Sequence, residues 1–241
     1  MATTIIHRGG WRWPLANSNE LLTLKESIPQ DLTPHMDKDD TVIWALTSSR
    51  VFSTKSVWKA IRRSLPPTCW SNLVWFHGNI PRASFILWLA WKQKLSTHDR
   101  FWGPQATGSC LLCNQADESH HHLFFECPLS MQLWHNILRK GNASVPHLPW
   151  DDLMVWLSSN WKGSTLTFSI LKLCLTVTMY STWHERNTRL HENCCQNVES
   201  LNCRILETIR LRLTTYKNVE NNEQNHKHQE DWALPNSIFA L

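Results

Sequence analysis

From Thr41 to His98 the chain contains no aspartate and no glutamate, although the full sequence has 20 acidic residues. The same segment carries eight basic residues: Arg50, Lys55, Lys59, Arg62, Arg63, Arg82, Lys92 and Lys94. Residues 1–40 hold four basic and six acidic groups, and residues 99–241 twelve and fourteen. Each flank therefore nets −2, and the whole +4 of the chain arises in the middle. A local excess of this kind suits a polyanion. Glycine is scarce, at seven residues, and none sits in a phosphate-cradling loop, which excludes the common nucleotide-binding motifs. No stretch approaches the roughly 18 apolar residues of a membrane span. The longest candidate, Leu166 to Tyr180, is interrupted by Ser169, Lys172 and three threonines. The first ten residues lack the apolar run of a secretory signal, so an intracellular setting without membrane contact is expected. Thiols stay reduced there, and eight cysteines then read as metal ligands or free thiols rather than disulfides.

Hydrophobic residues make up 42% of the chain and charged residues only 18%, the balance of a folded protein. Tryptophan is the outlier, with 15 residues against two tyrosines. Most of these rings belong in a core, leaving a minority as stacking surfaces. The patterning predicts a mainly α protein: a helical domain with a small β-hairpin near the N-terminus and a structural metal knuckle. A short helix over Glu20–Ile28 starts at Ser18, and residues 1–40 read as an N-terminal extension. Val42–Leu46 and Arg50–Phe52 flank Thr47-Ser48-Ser49 and predict the hairpin. A helix follows with Val57, Trp58 and Ile61 as its apolar stripe, ending before Pro66-Pro67. A short apolar helix is expected over Trp70–Phe76, and one more turn after Thr97. Pro81 opens a helix to Lys94 that is apolar nearly all round, and Pro128 opens another to Lys140. Asn142–Pro149 reads as a loop and domain boundary. A C-terminal helical region is expected over residues 150–217, with helices at Asp151–Ser159, Leu166–His191 and Val198–Lys217. The last repeats Val198, Leu201, Ile205, Ile209 and Leu213 at helical spacing. Residues 218–241 are polar and expected to be disordered.

The densest chemistry lies at Cys110-Leu-Leu-Cys113, followed by the run His120-His121-His122 and then Cys127. Two thiolates separated by two residues grip one metal from a tight turn. A histidine and a cysteine about five positions apart complete the tetrahedron from a helical turn. Three thiolates and one imidazole close a zinc shell and leave no position for water, which is the structural type of site. Chemistry alone leaves all three histidines available, with His121 and His122 both within reach of Cys127. Cys69 and Cys174 read as core residues, and Cys194, Cys195 and Cys203 lack a companion pair at metal spacing.

These motifs, together with Trp70-Ser-Asn-Leu-Val-Trp75, Pro81-Arg-Ala-Ser-Phe85-Ile-Leu-Trp88 and Leu95-Ser-Thr-His-Asp-Arg100, resemble the reverse-transcriptase zinc-binding domain of plant non-LTR retrotransposons. Trp44 to Trp58 looks like the start of that domain, and His122-Leu-Phe-Phe-Glu-Cys127-Pro with Trp134 like its end. Trp183-His-Glu-Arg186-Asn-Thr-Arg-Leu is similar to the segment that often closes such polyproteins. The resemblance implies a zinc-binding domain over residues 41–140, a single structural Zn2+, and His122 as the fourth ligand beside Cys110, Cys113 and Cys127. It also implies a role beside a polymerase in engaging RNA or DNA.

Catalytic signatures are missing from the sequence. No Tyr-x-Asp-Asp-like hairpin occurs, and neither Asp39-Asp40 nor Asp151-Asp152 lies between apolar strands. The helical pattern after residue 150 does not supply the carboxylate-bearing sheet of a ribonuclease H. The zinc deaminase signature is absent, and His184-Glu185 is not part of an H-E-x-x-H helix. The expectation is a non-catalytic module of retrotransposon origin with no small-molecule substrate. RNA or single-stranded DNA would meet Lys55, Lys59, Arg62, Arg63, Arg82, Lys92 and Lys94. The competing expectations are a zinc-stapled scaffold that docks a protein partner through the 198–217 helix, and a relic reading frame.

Overall fold

The structure, a computed structural model, describes residues 6–7, 10–13, 18–28, 42–63, 68–100, 108–192 and 194–239. They fall into two compact units, Met1–Leu65 and Pro66–Leu241.

In the first unit, strand β1 (Ile6–His7) pairs antiparallel with β2 (Gly10–Trp11), placing Ile6 opposite Trp11. Helix α1 (Asn19–Ser27) begins at Ser18, whose Oγ accepts the Leu21 N–H at 3.3 Å. Helix α2 (Thr54–Ile61) has a reciprocal cap in which Ser53 and Ser56 each accept the other's backbone N–H at 3.2 Å. The hairpin expected over 42–52 does not form. Among the described residues a single backbone bond crosses it, from Trp44 N–H to Arg50 O at 2.9 Å. Arg50 is held in the left-handed region at φ 54°, and the Thr47 hydroxyl bonds locally to Ser49 and to the Val51 carbonyl. Those local bonds compete with a strand ladder and win. The expected α2 stripe is also largely open: Val57 is half-buried, but Trp58 is 59% and Ile61 72% exposed.

The second unit is all helix and loop among its described residues. It comprises α3 (Ser71–Val74), α4 (Pro81–Trp91), α5 (Pro128–Lys140), α6 (Trp150–Asn160), α7 (Leu166–Glu192), α8 (Val198–Leu213) and α9 (Glu223–Trp232). Pro81 and Pro128 each occupy the first turn of their helices, where the missing N–H costs nothing. One core gathers the metal knuckle (Cys110, Leu112, Leu123, Phe124, Cys127) with Leu87 and Ala90 of α4, Trp134 of α5, and Trp150 and Leu157 of α6. A second core holds Leu133 and Ile137 of α5 and Leu201, Ile205, Ile209 and Leu213 of the α8 stripe, with Val198 packed at its edge. Helix α7 serves both, giving Leu171, Leu175 and Met179 to the first and Ile170, Cys174 and Val177 to the second.

In the α8 stripe Leu201, Ile205, Ile209 and Leu213 are buried inside the unit, and Val198 at its start is half-buried. Two expectations are corrected here. The tail expected to be disordered contains α9, because Trp232, Leu234 and Ile238 anchor it in the second core. A polar composition conceals three buried apolar residues within seven. Cys69 is exposed rather than core. At Gly78 (φ 82°), a Cβ would collide with the Tyr216 ring, which closes over the turn by donating its hydroxyl to the His77 carbonyl at 3.0 Å.

Candidate metal centre

The knuckle starts with a turn in which Cys110 O accepts the Asn114 N–H at 2.8 Å and Cys110 N–H reaches the Ala116 carbonyl at 2.7 Å. Asn114 takes the left-handed conformation, φ 57°, that turns the chain back. This brings the Cys110 and Cys113 sulfurs to one side. The second half is a π-helical turn, His122–Glu126, closed by a Cys127 N–H to His122 O bond of 2.7 Å. In an α-helix, residues five apart point about 140° away from each other. The wider π turn, with its bond from residue i to i+5, brings such a pair onto one side, a device frequent at functional sites. Here it unites His122 with Cys127.

The four donor atoms of Cys110, Cys113, His122 and Cys127 all lie within 4.8 Å of one another. Cys110 Sγ and Cys127 Sγ are 3.9 Å apart, and Cys113 Sγ is 3.3 Å from His122 Nε2. A zinc–sulfur bond of about 2.3 Å gives a tetrahedral sulfur–sulfur edge of about 3.8 Å, so the separation fits a shared metal and not a disulfide. Cys110 and Cys127 are wholly buried, and His122 nearly so. The Cys127 thiol is pulled down to about 5, first by the Cys110 thiol and then by the Ser130 and Leu129 amides, against the cost of burial. The same contact, with burial, drives Cys110 in the opposite direction. The thiolate form favoured at Cys127 is the one a metal takes. The residues therefore fit one zinc ion, which supplies structural cross-linking.

The structure separates the three histidines. His122 faces the thiols, whereas His120 and His121 turn to Trp150, at ring distances of 4.5 and 6.1 Å. His120 is buried with no hydrogen-bond partner at either ring nitrogen among the described residues, and burial lowers it to about 4. Among the described residues no other Cys, His or carboxylate group forms a metal cluster.

Two arginines of α7 secure the knuckle from outside, and spacing gave no sign of their role. Arg186 meets Glu118, between the ligand pairs, with Nη2–Oε1 at 2.7 Å and Nε at 3.2 Å from both oxygens; the ion pair is buried. Glu118 also accepts the His98 N–H at 3.0 Å. Arg189 donates to the carbonyls of Leu111 and Leu112, inside the Cys110–Cys113 turn, at 3.2 and 2.9 Å. Glu185 orients Arg189 at 2.8 Å and accepts the Gln196 N–H at 2.9 Å.

The seven basic residues expected at a nucleic acid are all exposed: Lys55, Lys59, Arg62 and Arg63 in the first unit, and Arg82, Lys92 and Lys94 in the second. None has a carboxylate partner among the described residues. Lys92 lies 5.3 Å over the Trp70 ring. No described helix is long and apolar enough to cross a membrane.

No curated protein and no solved structure matches the chain. The family model described as zinc-binding in reverse transcriptase does match, over residues 52–134, and this span contains all four ligands. The Cys3His cluster thus lies within a span, residues 52–134, that is similar to the zinc-binding domain of reverse transcriptases.

Proposed function

We propose that this chain is a non-catalytic module of retrotransposon origin that binds single-stranded RNA or DNA, with zinc fixing the shape of its second unit. The observation that carries the reading is the set of seven exposed, carboxylate-free cations on an acid-free segment. An exposed ring stands among them. Trp58 is 59% exposed on α2 and lies one helical turn from both Lys55 and Arg62. Backbone-tracking charge beside a free aromatic face is how sequence-tolerant single-strand binding is built. A zinc shell filled by three thiolates and an imidazole has no place for a reactive water, which supports a structural role for the metal. Burial of Leu201, Ile205, Ile209 and Leu213 in the unit's own core favours this reading over a scaffold that docks a partner through α8.

The test is fluorescence anisotropy with labelled single-stranded RNA and DNA across a salt series. If all seven cations contact phosphates, log K should fall against log salt with a slope of up to about −5, at about −0.7 per contact. The double variant Arg62→Glu, Arg63→Glu should abolish binding while zinc content and melting temperature stay unchanged, since both side chains are exposed. Absence of salt-sensitive binding by the zinc-loaded wild type refutes the reading.

A further inference from the structure

Between α4, α7 and α8 lies a cavity of about 170 Å³. That is below the range of about 300–1,000 Å³ that encloses drug-sized ligands, and suits a single small group. Its polar lining comes from Arg82 on α4, Tyr180, Ser181 and His184 on α7, and Arg204 and Thr208 on α8, with no carboxylate. Arg82 lies 5.4 Å over the Tyr180 ring, and that ring is 5.9 Å from the His184 imidazole. Neither arginine forms an ion pair among the described residues. Ser181 is only 5% exposed.

Two arginines lining one cavity without a carboxylate leave its positive charge uncompensated from within. A phosphate supplies that compensation, because guanidinium donors match its oxygens in pairs and a hydroxyl donates to them as well. Arg82 and Arg204 are 122 positions apart in sequence, and Arg204 lies outside the acid-free segment. The cavity is thus a product of the fold rather than of local charge density.

We propose that this cavity is a phosphate subsite that takes one backbone phosphodiester of a bound single strand, gripped by Arg82 and Arg204 with Ser181 beneath. The proposal rests on the nucleic-acid reading above for the source of the phosphate. The test uses the zinc-loaded full chain with Arg204→Gln, Arg204→Lys and wild type in parallel. In the first arm, single-stranded oligonucleotides with 5′-hydroxyl ends are titrated across salt. Arg204→Gln should weaken binding equally for all sequences and make the salt slope shallower by about 0.7, with Arg204→Lys recovering the slope. In the second arm, inorganic phosphate is titrated against chloride at matched ionic strength while the NMR signals of Tyr180, Ser181 and His184 are followed. A saturable shift in wild type, lost in Arg204→Gln, is expected. A phosphate response without oligonucleotide binding keeps the subsite and overturns the nucleic-acid reading. Oligonucleotide binding with an unchanged slope in Arg204→Gln, and no phosphate response, overturns the subsite and leaves that reading intact.

Discussion

Replacing Arg186 by methionine removes the guanidinium that holds Glu118 and leaves a side chain of similar length. Arg186 gives three contacts of 2.7–3.2 Å to the Glu118 oxygens, and its Nη1 reaches Asn187 Oδ1 at 3.0 Å. Without it the carboxylate, whose side chain is 0% exposed, keeps the His98 amide at 3.0 Å and the His98 imidazole at 3.9 Å among the described residues. Breaking one side of a buried pair costs about 3–5 kcal/mol, because the remaining charge is neither solvated nor paired. The second unit spans 176 residues, counting from Pro66 to Leu241. At about 2–4 °C per kcal/mol for a domain of this size, the melting temperature should drop by about 6–20 °C. Circular dichroism melts with zinc present would measure it. The double variant Glu118→Leu, Arg186→Met should recover much of the loss, since an apolar pair replaces the ionic one. The reasoning fails if Arg186→Met alone shifts melting by less than about 2 °C.

Metal content should be about one zinc per chain in wild type and should be lost or much weakened in Cys113→Ser and His122→Ala; His121→Ala should keep its zinc. Zinc removal by chelation should unfold the knuckle, since binding and local folding are one process. His120 offers a pH signature. Its folded value of about 4 lies below the ordinary 6.5, so between those limits the unfolded chain binds a proton that the folded chain refuses. Stability from this group is complete above pH 6.5 and declines as pH falls towards 4, by about 3 kcal/mol in total. His120→Leu should flatten that part of the acid profile relative to wild type in urea titrations, the metal's own acid release being common to both. Gly78→Ala should destabilise the chain by at least about 1 kcal/mol, because the left-handed backbone and the Tyr216 ring both oppose a Cβ. Chemical denaturation checks it.

The ligand quartet was legible because thiolates and imidazoles at metal spacing have few other uses. The choice among His120, His121 and His122 was not legible from chemistry, since it depends on the π turn. Nothing in Leu123-Phe124-Phe125-Glu126 announces a backbone bond to the fifth residue. Helices α5 to α8 followed from periodicity and from proline, to within a few residues. The failed hairpin at 42–52 shows the opposite limit: alternation suggested strands, but Thr47 and Ser49 satisfied the backbone locally and Arg50 turned it aside. The roles of Arg186 and Arg189 were not legible for another reason. The groups they hold at the knuckle, Glu118 and the Leu111 and Leu112 carbonyls, lie 68 to 78 positions away, and sequence spacing does not reach that far.

The passage of α7 through both cores makes them mechanically one body. Leu171, Leu175 and Met179 lean on the knuckle, while one step around the helix Ile170, Cys174 and Val177 lean on α8. Neither side can loosen without releasing a wall of the other. Loss of zinc should therefore be felt far from the metal, as a single cooperative melting rather than two. Cys174 is a built-in reporter of that event: it is fully buried, and burial pushes its thiol up to about 12. Thiol reagents should reach it only when the metal at the opposite core has gone.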